Sequence, residues 1–128
     1  MQTLTIAAPV YVGQGPIGRG VFAARAIEAK ETIEICPLLE VPDGDATGVL
    51  RDYVVNSNYD TSSSILMLGY GMLYNHAERP NAEYVERGRE EFEFIALRRI
   101  EAGEEITISY GSEWWETREL TAIDAANA

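Results

Sequence analysis

Three side chains that carry much of protein chemistry are almost missing from this chain. Its 128 residues hold one cysteine, Cys36, one histidine, His76, and one lysine, Lys30. A single cysteine excludes an internal disulfide and any cysteine-rich zinc cluster. One His and one Cys do not make a ligand set at metal-binding spacing, so no metal is expected. No apolar run approaches the ~20 residues that cross a bilayer, and the N-terminus lacks the basic, apolar and small-residue order of a signal peptide, so no membrane role is expected and the chain reads as intracellular. Positive charge is also scarce: 10 basic against 21 acidic residues leave a net charge of −11. That balance argues against direct binding to a nucleic-acid backbone and suits a cationic partner, or simply solubility.

What is present is enough for one globular domain over residues 1–128, with 46% hydrophobic residues. The pattern is mostly β. Residues 4–12 alternate loosely and carry Thr, Ile, Val and Tyr, as a strand would. Residues 13–20 form a glycine-dense loop, where the backbone can approach a ligand closely. Short strands are then expected over 21–23, 32–41, 53–55 and 64–68, with a single helical turn over 72–74. Residues 82–86 and 91–98 alternate about the Arg87-Gly88-Arg89 turn as a hairpin, and 105–109 read as a last strand. Residues 113–126 have helix-favouring composition.

The polar pair Asn75-His76, followed by Pro80-Asn81, lies between apolar runs and must be satisfied by the chain or by a ligand. Gly18-Arg19-Gly20 lacks the third glycine of a dinucleotide fingerprint and the Gly-Lys of a phosphate loop, and it opens a strand where those motifs open a helix. Cys36 sits in mid-strand with no helix N-terminus to activate it, so a Cys36–His76 nucleophile pair is a poor reading. Glu90-Glu91 and Glu104-Glu105 read as solvated carboxylates. Tyrosines are more informative. Tyr53, Tyr70, Tyr74 and Tyr110 fall in or beside apolar segments near glycines, with Trp114 and Trp115 close behind. Each alone fits core packing with its hydroxyl reaching outward. Several converging on one channel would hold the aliphatic stem and cationic tip of a lysine.

Taken in order, residues 18–25 (GRGVFAAR), Asn75-His76 with Pro80-Asn81, and residues 94–111 (FIALRRIEAGEEITISYG) resemble the SET-domain protein lysine methyltransferases. Residues 50–53 (LRDY) and 68–71 (LGYG) add to the likeness. The span 18–115 covers most of the chain, leaving 116–128 as a tail, and its compactness looks most like the minimal free-standing SET proteins of large DNA viruses and bacteria. The resemblance implies a mostly β fold, the β-clip of small sheets, with a C-terminal pseudoknot and a short C-terminal helix. It implies S-adenosyl-L-methionine (AdoMet) as methyl donor, S-adenosyl-L-homocysteine as product, and a peptide lysine as acceptor. By position, Gly18, Arg19 and Gly20 would contact the methionine end of AdoMet, and Asn75 and His76 its ammonium and adenine. Tyr110 would be the catalytic tyrosine. Tyr53 and Tyr70 would line the lysine channel, and Trp114 or Trp115 would close it or cover adenine.

Some residues depart from that family's pattern. No cysteine-rich flank exists to form a zinc-bound cap, so residues 113–116 (EWWE) would serve with aromatics instead. Trp114 stands where a tyrosine is common, Arg19 where an aromatic often sits, and Ala77 where a serine or cysteine usually follows Asn-His. The expected partner is a basic lysine-containing tail, first of all one like histone H3, with a ribosomal or other bacterial basic protein as the alternative. A SET-like peptide-binding module without turnover is the competing class. A homodimer is expected, located in the cytoplasm of a bacterium or, for a viral or effector protein, in a host nucleus.

Overall fold

The structure is a computed structural model that describes residues 8–111. The start of the strand expected from residue 4, the helix expected over 113–126, Trp114 and Trp115 lie outside the described residues.

Among the described residues, nine short strands form three small sheets. The first sheet is an antiparallel hairpin of β1 (Val10–Gly15) and β2 (Gly18–Ala23), paired from Val10↔Ala23 to Gly15↔Gly18. The glycine-dense stretch expected as a loop is therefore largely ladder, with the turn confined to Pro16 and Ile17. Glycine leaves the pairing intact and removes only side chains, so spacing alone could not separate loop from strand.

The second sheet has five strands in the order β4-β5-β3-β8-β7, all antiparallel. Its spine is β3 (Thr32–Pro42), flanked by β5 (Ser63–Met67) and β8 (Glu91–Ala96), with β4 (Val55–Asn56) and β7 (Ala82–Arg87) at the edges. The pairing of β3 with β8 shifts register between Thr32 and Glu34. That irregularity changes the strand's phase, so Ile33 and Cys36, three residues apart, are both buried. The β7–β8 hairpin has the expected alternation: Phe92, Phe94 and Ala96 face the core and their neighbours do not.

The strand expected over 53–55 starts only at Val55 and runs to Asn56, because Tyr53 closes a 3-10 turn over Gly48–Asp52. Met72 and Leu73 belong to hydrogen-bonded turns rather than a helix, tied by the Leu73 N–H to the Tyr70 carbonyl at 2.9 Å, and Tyr74 follows outside the turn. Gly71 lets this turn press on the sheet, because a Cβ there would lie 2.6 Å from Met67 Cβ and 3.1 Å from Cys36 Sγ.

The third sheet positions the site. β6 (Asn75–His76) pairs in parallel with β9 (Thr107–Ile108), Asn75 beside Thr107 and His76 beside Ile108. Ahead of β9 the chain also joins β2: the Ile106 N–H donates to the Val21 carbonyl at 2.8 Å, and the Ala23 N–H to the Glu104 carbonyl at 2.9 Å. One core runs beneath all three sheets, from Val21 and Ala23 through Ile27, Phe94 and Tyr74 to Ile106 and Ile108.

Candidate active site

The polar pair that stands out in the sequence is paid back by the parallel sheet and its neighbours. His76 is only 3% exposed. Its Nδ1 accepts the Tyr110 main-chain N–H at 3.0 Å, and Nε2 lies 3.1 Å from Glu78 Oε1. The Asn75 amide donates to the Arg19 carbonyl at 3.1 Å and to Glu105 Oε2 at 2.7 Å. Asn81, also 3% exposed, clamps the same region. Its Nδ2 donates to the Glu105 carbonyl and its Oδ1 accepts the Thr107 N–H, both at 2.8 Å. Three segments far apart in sequence, 18–20, 75–81 and 105–110, are thus fastened together by side-chain amides.

Where these segments meet is a cradle. A Cβ on Gly20 would run into Glu105 Oε2 and lie 2.8 Å from Asn75 Nδ2, and one on Gly15 would lie 2.9 Å from Glu105 Oε1. Glu105 is half-buried against the bare backbone of the β1–β2 hairpin. It was expected as one of two solvated carboxylates. Its neighbour Glu104 does point outward, to Arg98 at 2.5 Å, but Glu105, bridged to Phe22 of β2, sets its carboxylate against Gly15, Gly20 and Asn75.

On the other side of Tyr110 is a cavity of about 30 Å³ lined by Asp52, Tyr53, Val55, Met67, Tyr84 and Tyr110 among others. The Tyr110 hydroxyl donates to the Tyr74 main-chain carbonyl at 2.6 Å, and its ring is 5.4 Å from that of His76. Burial pushes the Tyr110 phenol up to about 12, with Tyr53, Glu105 and Tyr84 adding to the shift. It stays a neutral donor at physiological pH.

The structure therefore brings together the Arg19 carbonyl, Gly20, Asn75, His76 and Tyr110, leaves Gly18 at the end of the hairpin with open space beside it, and sets Tyr53 beside Tyr110. Tyr70 is elsewhere: it borders a neighbouring cleft with Ile33, Glu34 and Gly69, and is not among the residues lining the Tyr53–Tyr110 cavity. Tyr84 supplies an aromatic wall that sequence reasoning missed. Its signal was the hairpin register, which sets Tyr84 opposite the buried Phe94. Cys36 is fully buried, and burial together with the nearby Glu34 pushes its thiol up to about 12, so it is no nucleophile.

Against known proteins, the SET domain family matches residues 18–111. The chain belongs to the SET-domain family of protein lysine methyltransferases. It is 35% identical over 104 residues to a Schizosaccharomyces pombe histone-lysine N-methyltransferase described as specific for lysine 37 of H3, covering 77% of this chain and 69% of that protein. A Neurospora crassa histone-lysine N-methyltransferase is 32% identical over 100 residues, which are 74% of this chain but 13% of that protein. Among solved structures, a candidate histone methyltransferase of Plasmodium falciparum superposes with a TM-score of 0.74 at 34% identity, over 86% of this SET chain and 99% of the other.

The SET family uses AdoMet, and the cradle suits it. AdoMet carries an ammonium, which the inward Glu105 carboxylate would offset, and its amino-acid end needs close access to backbone, which Gly18 leaves open, while the space over Gly20 is taken by the Glu105 and Asn75 side chains.

Proposed function

We propose that this SET protein methylates the ε-amine of a lysine in a basic protein tail, with a histone H3-like tail as the first substrate. The observation that carries this reading is the junction at Tyr110: one residue lines the aromatic cavity and, through its main-chain N–H, holds His76 of the polar cradle. The H3-specific name of the fission yeast relative and the net charge of −11 support the choice of tail.

In this reading Gly18, Arg19, Gly20, Asn75, His76 and Glu105 hold AdoMet, which supplies an electrophilic methyl on a sulfonium. Tyr53, Tyr84 and Tyr110 enclose the lysine stem. Trp114 would close the channel and Trp115 cover the adenine. The amine must arrive neutral, and with an ordinary value of ~10.4 this costs about 4 to 5 kcal/mol near pH 7. Desolvation by the aromatic walls and repulsion from the neighbouring sulfonium lower that cost. The proton leaves to solvent before transfer, so no carboxylate base is needed. The Tyr110 hydroxyl, held by the Tyr74 carbonyl, orients the amine toward the methyl carbon. The nitrogen–carbon bond forms as the carbon–sulfur bond breaks, and the electron pair stays on sulfur.

Calorimetry with AdoMet, followed by radiolabel transfer to histone and ribosomal protein pools, tests this. Binding without transfer would favour the peptide-binding module, and transfer confined to ribosomal proteins would redirect the substrate assignment.

A further inference from the structure

The lysine methyltransferase reading uses the Tyr74 carbonyl but leaves its side chain unexplained. Tyr74 is 1% exposed, and its ring stacks on Phe94 with centroids 4.5 Å apart and planes at 16°. Phenylalanine would fill that slot without burying a hydroxyl. The hydroxyl instead reaches a second costly group, donating to Glu34 Oε1 at 2.6 Å. Glu34 is half-buried on β3, with its other oxygen accepting the Tyr70 N–H at 3.4 Å. Burial holds its carboxyl above the ordinary range despite these donors. Two expensive polar groups have thus been placed where an apolar pair would pack, and they meet directly behind the reaction centre.

What the pair fixes is the main chain at residue 74. The Tyr110 hydroxyl rests on that carbonyl at 2.6 Å. The next residue, Asn75, carries the amide that ties Arg19 to Glu105. Tyr74 is therefore the joint between the aromatic cavity and the polar cradle, and a charge-assisted bond to the rigid central strand is the strongest available brace for it.

We propose that Glu34 and the Tyr74 phenol are positioning residues for methyl transfer: the carboxylate anchors the Tyr74 side chain, and so fixes the carbonyl that aims the Tyr110 hydroxyl. This rests on the proposed function.

The test uses the full chain with AdoMet and the histone pool, and reads both turnover and the NMR signal of tyrosine labelled with 13C at Cζ. The Tyr110 resonance is assigned by its loss in Tyr110→Phe. Tyr74→Phe and Glu34→Leu are each expected to lower kcat about tenfold with KM for AdoMet nearly unchanged, since misaimed groups lose rate rather than affinity. Both should shift the Tyr110 resonance. Glu34→Gln keeps an acceptor for the phenol but not its charge, and should retain most of kcat with a resonance close to wild type. The double variant Tyr74→Phe/Glu34→Leu should lose no more than the worse single one. An unmoved Tyr110 resonance in Tyr74→Phe, an unchanged kcat, or Glu34→Gln as impaired as Glu34→Leu would overturn the proposal. Tyr74→Phe preserves the buried ring and decides the matter should Glu34→Leu not fold. If the wild-type chain transfers no methyl group, the functional reading fails, and the resonance alone still decides whether Glu34 and Tyr74 position Tyr110.

Discussion

The Tyr110 hydroxyl can be removed without disturbing the ring that fills the wall of the cavity, which makes it a clean probe. Tyr110→Phe is expected to lower kcat at least about tenfold, by loss of the hydroxyl oxygen that accepts an amine N–H and so aims its lone pair, the hydroxyl proton being held by the Tyr74 carbonyl. AdoMet affinity, read by calorimetry, should change little, because the bond to His76 comes from the main chain. Cys36 gives a contrasting result. With its thiol buried and held near 12, it should resist iodoacetamide at pH 8 in the folded protein and react once in denaturant, as mass spectrometry would record. Much at this scale was legible. Asn75, His76 and Tyr110 stood out because polar or aromatic residues between apolar runs need partners. Glu34, Glu105 and Tyr84 did not, because a carboxylate or phenol looks the same in sequence whether it faces water or a neighbouring segment 26 to 40 residues away. The β3 irregularity hid Glu34 further by breaking the alternation that would have assigned its face.

Among elements, the β6–β9 pair and its Asn81 clamp carry the consequence. Asn81→Ala strips partners from the Glu105 carbonyl and the Thr107 N–H, and leaving such buried groups unmet costs about 2 kcal/mol. A lowered thermal midpoint together with weaker AdoMet binding is expected, because the clamp sets Glu105. Gly20→Ala differs. The atoms its Cβ would meet are the ends of the Glu105 and Asn75 side chains, which can swing away. The fold should survive with its midpoint little changed, while calorimetry shows a clear loss of AdoMet affinity. The β7–β8 hairpin and the β3 spine could be read from alternation and turn residues alone. A two-residue parallel strand such as β6 has no periodicity to read, and its partner lies 32 residues away, so only the finished structure reveals it.

For the molecule as a whole, charge and proton binding set the expectations. With a net charge of −11, the KM for a basic peptide should rise with ionic strength between about 0.05 and 0.3 M while kcat holds, as exposed charges are screened. Cys36 and Tyr110 are both protonated in the fold and both raised to about 12, from ordinary values of 9.0 and 10.0. A raised group contributes stability that is intact below its unfolded value and is lost as pH climbs through the folded one. Denaturant midpoints should therefore hold to about pH 9 and fall steadily toward pH 12.

The parallel join between residues 75–76 and 107–108 also dictates an order of assembly during synthesis. A nascent chain that has released residues 8–96 possesses every strand of the five-stranded sheet, yet neither the polar junction around Glu105 nor Tyr110 beside it exists. On the proposed reading, the site would be completed only when the segment carrying Glu105 and Tyr110 emerges and joins β2 and β6.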